Sequence, residues 1–85
     1  MPLITMFYGI IITMYFDEKL PAHFHAEFRE HKALFDLDGN IIDGDFPTDK
    51  RKLVDAWTVL HKEELAADWE LARDKENVMP IAPLK

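Results

Sequence analysis

The sequence predicts an α+β domain, a four-stranded antiparallel meander with two helices, or one bent helix, packed on one face. Three observations predict it. Residues 7–46 are rich in β-branched and aromatic residues and broken by turn signals. Residues 48–76 switch to a helical spacing of apolar side chains. The last stretch, Val78-Met79-Pro80-Ile81-Ala82-Pro83-Leu84, carries two prolines that exclude helix. Eighty-five residues leave room for one domain. The expected organisation is a single domain over 1–85, with the sheet over about 5–46, the helical region over about 48–76 and an extended tail over 77–85. The apolar residues of the tail point to docking.

The first strand runs from Phe7 to Phe16. Tyr8, Ile10, Ile12, Met14 and Phe16 alternate with Phe7, Gly9, Ile11, Thr13 and Tyr15, so both faces are apolar and both need cover. The cover for the second face is either the chain's own tail or a second subunit. Asp17 to Ala22 is polar and contains a proline, hence a loop. His23–Phe28 and Lys32–Leu37 read as two further strands joined by a tight turn at Glu30-His31. Asp38-Gly39-Asn40-Ile41 is a hairpin signal, because Gly and Asn tolerate positive φ. The fourth strand, Ile41–Phe46, stops at Pro47.

Two-residue turns at Glu30-His31 and Gly39-Asn40 fix the expected registers. Glu27 falls opposite Leu34, His25 opposite Asp36 and His23 opposite Asp38, while Asp36 falls opposite Asp43 and Leu34 opposite Asp45. His23, His25, Glu27, Asp36, Asp38, Asp43 and Asp45 then share one face. Phe24, Ala26, Phe28, Ala33, Phe35, Leu37, Ile42 and Phe46 share the other.

Thr48 is a suitable N-cap with Asp49 in the first turn. Leu53, Val54, Ala56, Trp57 and Leu60 form one apolar set, and Leu65, Ala66, Trp69 and Ala72 a second. On one ideal helix the second set is rotated by roughly 100° from the first, which predicts a kink or break near His61–Glu63. Glu76-Asn77 ends the helical region.

Sixteen acidic against ten basic residues give a net charge of −6. That balance disfavours nucleic acid, since phosphates would be repelled, and favours a basic protein partner. The one basic cluster, Lys50-Arg51-Lys52, reads as a solvated first helical turn rather than a phosphate patch. A chain this small is marginally stable alone, which makes a homo-oligomer a second expectation. The absence of cysteine removes disulfides and thiolate ligands and suits a cytoplasmic location. The apolar run Met6–Phe16 is about half the length a membrane helix needs, and no basic residue precedes it as in a signal peptide.

The polar face is the candidate site. His23 and His25, two apart on a strand, project the same way; with Asp36 or Asp38 they form a candidate set for one divalent metal ion. The bland alternative is a wet sheet face with histidine–carboxylate pairs. Glu27, Asp43 and Asp45 form the candidate interaction face. Asp36-x-Asp38-Gly39-Asn40-x-x-Asp43 suggests a calcium loop, but the required Gly and bidentate Glu positions hold Ile41 and Pro47. General acid–base catalysis by His23 or His25 is open, but the chain has no Ser or Cys nucleophile and no Gly-rich phosphate loop. His61 reads as a capping or packing residue, and Trp57 and Trp69 as core, or as interface anchors if exposed.

Phe7-Tyr8-Gly9-Ile10, Met14-Tyr15-Phe16 and Pro21-Ala22-His23-Phe24-His25-Ala26-Glu27-Phe28 resemble an uncharacterised bacterial domain-of-unknown-function family, numbered four-one-six-zero. Trp57, Leu60-His61-Lys62-Glu63-Glu64-Leu65, Trp69 and Ile81-Ala82-Pro83-Leu84 extend the resemblance over nearly the whole chain. Family members more often carry Tyr at the Phe28 position and Pro at the Ala22 position. The resemblance implies no established activity. It implies genes that lie beside those of another small family in toxin–antitoxin-like arrangements. Three functions are therefore carried forward: a non-enzymatic interaction module, including a toxin–antitoxin-type component; a divalent-metal-binding module or metal-dependent enzyme using His23 and His25; and a nucleic-acid-binding regulator.

Overall fold

Five strands, rather than the expected four, make the sheet. The computed structural model describes residues 3–85; the first two residues of the expected 1–85 domain lie outside the described residues. The strands are β1 (Leu3–Phe7), β2 (Ile10–Thr13), β3 (His23–Phe28), β4 (His31–Asp36) and β5 (Ile41–Gly44), followed by helices α1 (Thr48–Leu60) and α2 (Lys62–Arg73). The strand order is β1-β2-β3-β4-β5, an antiparallel meander.

The expected single strand Phe7–Phe16 is a hairpin with a turn at its start. Tyr8 sits at φ +50° and Gly9 at φ +79°, so the chain reverses there and Phe7 pairs with Ile10. Both central residues in the left-handed region give the turn that matches strand twist. Glycine takes that conformation at no steric cost, whereas tyrosine bears one. β2 then ends at Thr13, leaving Tyr15 and Phe16 in the loop before β3.

The β3–β4 register differs from the expected one by two residues. Arg29 adopts φ +55°, placing the turn at Arg29-Glu30 instead of Glu30-His31. His23 therefore pairs with Asp36, His25 with Leu34 and Glu27 with Lys32. Cross-strand pairs account for the preference. Phe24 lies opposite Phe35 with stacked rings 5.5 Å apart, and Glu27 meets Lys32 at 3.2 Å. A shift of two preserves side-chain parity, so the expected division of faces survives on these strands.

β4 and β5 are joined by a loop in which the Gly39 N–H donates to the Asp36 carbonyl and the Asp36 N–H to the Asn40 carbonyl. Gly39, at φ +88°, occupies the left-handed position that closes such a hairpin with a bulge. The irregularity pairs Phe35 with Ile41 but Leu34 with Asp43. Ile41, not the expected Ile42, thus packs against the core, and the expected pairings of Asp36 with Asp43 and Leu34 with Asp45 do not form.

One face of the sheet is sealed. Phe24, Ala26, Ala33 and Phe35 are buried with Val54, Trp57 and Phe46. The Trp57 ring meets Phe24 edge-on at 5.8 Å and lies 5.7 Å from Phe7, while Phe46 meets Phe35 edge-on at 5.7 Å. Each such side chain contributes about 1.5–3 kcal/mol through burial.

Pro47, not Thr48, stands at the N-cap of α1, and its carbonyl accepts the Arg51 N–H. The expected break falls at His61, whose φ −124° and ψ 27° separate α1 from α2. The helical region therefore resolves into two helices, and the second stops three residues short of 76. Lys75 at φ +60° ends it, with Lys75 N–H on the Ala72 carbonyl and Glu76 N–H on the Leu71 carbonyl. That pair of bonds is the Schellman arrangement, with lysine in the place glycine usually holds.

The tail docks. Ile81 is buried, its N–H donates to the Ile4 carbonyl, the Trp57 indole N–H donates to the Ala82 carbonyl, and the Met79 N–H donates to Asp68.

Candidate functional site

Among the described residues no helix covers the middle of the other face, although Trp69 of α2 reaches its His23 end. Cross-strand pairing runs Leu3–Thr13–His25–Leu34–Asp43 in one row and Met6–Ile11–Glu27–Lys32 in the next. The β1–β2 side and Leu34 are apolar; the β3–β5 side carries Glu27, Lys32 and Asp43. Leu3, Met6 and Asp43 are exposed, and Ile11, His25, Glu27 and Leu34 are half-buried. A groove of about 470 Å³ crosses this face, lined by Thr13, Tyr15, His25, Glu27, Lys32, Leu34 and Asp43 among others. The cover expected for the second face of the first strand is not supplied by the tail, which docks at the β1 edge and against the helices.

His23, His25 and Glu27 do share a face, as their spacing predicts, but they differ in environment. His23 is 1 % exposed. Its ring lies 5.2 Å from that of Trp69, and its Nδ1 is 2.9 Å from the Pro21 carbonyl. A ring nitrogen facing a carbonyl carries the proton, which leaves Nε2 as an acceptor. His25 is half-buried, with its ring 5.4 Å from His23 and 5.1 Å from Tyr15. Burial and the neighbouring His23 push the His25 pKa below the usual histidine value, against the opposing pull of Glu27.

The carboxylates expected to join these imidazoles are committed elsewhere. Asp36 Oδ1 accepts the backbone N–H groups of Asp38 and Asn40 at 2.9 Å each, and Oδ2 accepts the Asn40 side-chain amide. Burial pushes its pKa up, but bonds from Asn40, Asp38 and Gly39 outweigh that and hold it below the usual carboxylate value. Asp38 pairs with Lys62 at 2.6 Å, which raises the lysine pKa. The set His23, His25, Asp36 and Asp38 is thus not gathered around one point. Among the described residues no group of three or more His, Asp or Glu side chains is placed to hold a metal ion.

Of the expected interaction face, Glu27 lies beside Lys32, and Asp43 and Asp45 are exposed. His61 has the packing role its position suggests: Nδ1 meets Glu64 Oε1 at 2.6 Å and the ring lies 5.7 Å from Trp57. Lys50 places its ammonium 5.0 Å from the Phe28 ring centre, while Arg51 and Lys52 are exposed.

Residues that sequence reasoning passed over also reach this surface. Tyr15, Phe16, Asp17 and Glu18 line a second concavity together with Leu20, His23, His25 and Leu34. The signal for it was an aromatic pair followed at once by an acidic pair, hidden because Tyr15 and Phe16 were assigned to a strand.

A meander backed by helices on one side and bare on the other defines a small α+β domain that offers a surface rather than an enclosed cleft. Within that class, the chain belongs to the family described as Domain of unknown function (DUF4160), whose family model matches residues 9–70. β1 and the tail lie outside the matched stretch. No curated protein and no solved structure matches the chain. Among the described residues no helix is long and apolar enough to cross a membrane.

Proposed function

We propose that this protein is a non-enzymatic interaction module that docks a basic protein partner across the bare face of its sheet. The observation that carries the reading is the composition of that face. Leu3, Met6 and Ile11 make β1 and β2 apolar, Leu34 lies across from His25 beside the exposed Asp43 with Asp45 exposed just beyond β5, and the one lysine in the groove is tied to Glu27. Apolar area beside exposed charge suits a recognition surface, and exposed charge of one sign selects the opposite sign and speeds encounter. The net charge of −6 extends that preference over the whole chain.

The partner implied by the family's gene arrangement is the product of the adjoining gene, in a toxin–antitoxin-type pair. Co-expression of the two followed by gel filtration tests this. Co-elution at low salt, weakened at high salt and abolished by combined Asp43→Lys and Asp45→Lys, is the expected result. Co-elution indifferent to both charge reversals overturns the reading.

A further inference from the structure

The concavity at the loop end of the bare face has a chemistry more specific than the face as a whole. It measures about 540 Å³ and is continuous with the groove, since Tyr15, His25 and Leu34 line both. Tyr15 and Phe16 remain 41 % and 39 % exposed at its wall. Their rings belong to an unbroken chain of contacts: Tyr15 to His25 at 5.1 Å, His25 to His23 at 5.4 Å, His23 to Trp69 at 5.2 Å, and Trp69 to Phe16 at 5.3 Å. Packing of this kind holds the two exposed rings in place.

The polar side chains in the cup are almost all acceptors. Asp17 and Glu18 are exposed carboxylates, and among the described residues neither has a basic partner. Asp17 Oδ1 is used to receive the Lys19 N–H, leaving Oδ2. His23, at the buried floor, has its Nδ1 turned to Pro21 and so presents Nε2 as an acceptor. Among the described residues, the donors that line the cup are the Tyr15 hydroxyl and the single N–H of the His25 ring. The lowered pKa of His25 keeps that ring neutral at physiological pH, so it adds no repelling charge.

Aromatic faces, carboxylates and an imidazole acceptor together suit a flat cation with several N–H donors. A guanidinium stacks on rings and bridges carboxylates, whereas an ammonium does neither as well. We infer that the cup takes an arginine side chain of the protein partner, as the anchor of the interface. The inference rests on the reading that the bare face docks a basic partner.

The test is an NMR titration of the full chain with N-acetyl-arginine-N-methylamide, using the citrulline analogue as an uncharged control of the same shape. Saturable amide shifts confined to residues 15–25 and the neighbourhood of Leu34 are expected, with no response to citrulline. Tyr15→Ala and Glu18→Gln should each weaken the arginine probe by roughly fivefold, the equivalent of one cation–π contact or exposed ion pair. Equal shifts with citrulline, shifts spread over the acidic surface and unchanged in both variants, or no saturable shift overturn the assignment. If Tyr15→Ala retains the co-eluting partner in full while the Asp43 and Asp45 reversals release it, the cup assignment fails and the docking face stands. If neither change releases the partner, the docking face itself fails.

Discussion

The two faces of the sheet are made from alternate residues of the same strands, yet they obey different rules. Phe24, Ala26, Ala33 and Phe35 point to the side that Trp57, Val54 and Phe46 close, and all are buried. His25, Glu27, Lys32 and Leu34 point the other way and stay open or half-open to solvent. One set is selected by volume and shape, because a sealed interior registers each missing methylene. The other faces solvent and is free of that constraint. A contiguous surface of apolar and charged residues left open on so small a domain is what the proposed docking role rests on.

The largest expected effect lies on the sealed side. Phe35 is fully buried between the Phe24 and Phe46 rings. Phe35→Ala should cost about 3–5 kcal/mol, a large part of the roughly 5–15 kcal/mol that holds a domain together. Urea unfolding followed by circular dichroism measures it, and a loss below about 1 kcal/mol would mean that this face is not the core.

A middle-sized effect tests a flaw in the helical layer. Asp68 on α2 is buried, with Oδ1 receiving the Met79 N–H and Oδ2 without a partner. Burial, aided by Glu64, pushes its pKa up against the pull of the Met79 amide. The folded protein then holds a proton that the unfolded chain releases near pH about 3.9, so this contribution to stability falls as pH rises from there through the raised value and stays low above it. Asp68→Asn should remove that decline, a difference on the order of 1–3 kcal/mol, the cost of an unsatisfied buried polar group. Unfolding midpoints of the two proteins compared between pH 3 and pH 7 give the answer; parallel curves would refute it.

The smallest expected change in stability lies on the bare side. Met6 is 58 % exposed on the edge strand β1, beside Ile11. Met6→Ser should shift stability by no more than about 0.5 kcal/mol while weakening co-elution with the partner. Destabilisation comparable to that of Phe35→Ala would show that the two faces do not differ in the way described.

The division of faces was legible because it depends only on the alternation of the sequence. The β3–β4 turn lies one position earlier than expected, which moves the pairing by two residues and leaves every side chain on its own side. The helix break at His61 was legible for a similar reason, since two apolar sets out of phase cannot share one straight helix. What escaped was local backbone geometry. Tyr8 and Arg29 adopt positive φ without being glycine or asparagine; Gly9 alone marks the first turn, and no glycine or asparagine marks the second. The bulge that swaps Ile42 for Ile41 leaves no mark in composition. Turn chemistry also dissolved the proposed His–Asp cluster: Asp36 closes its own hairpin, and the nearby acidic residue meets Lys62 from a helix far along the chain.

The last residues of the chain have an effect on how copies of this molecule meet one another. β1 pairs with β2 alone, which makes it an outer margin where backbone groups would template further strands. Ile81 occupies that margin with a single bond to Ile4, and Pro80 and Pro83 on either side of it have no N–H to offer. An arriving strand thus finds no ladder to continue along β1. At this margin a short proline-flanked segment acts as a stopper against strand addition.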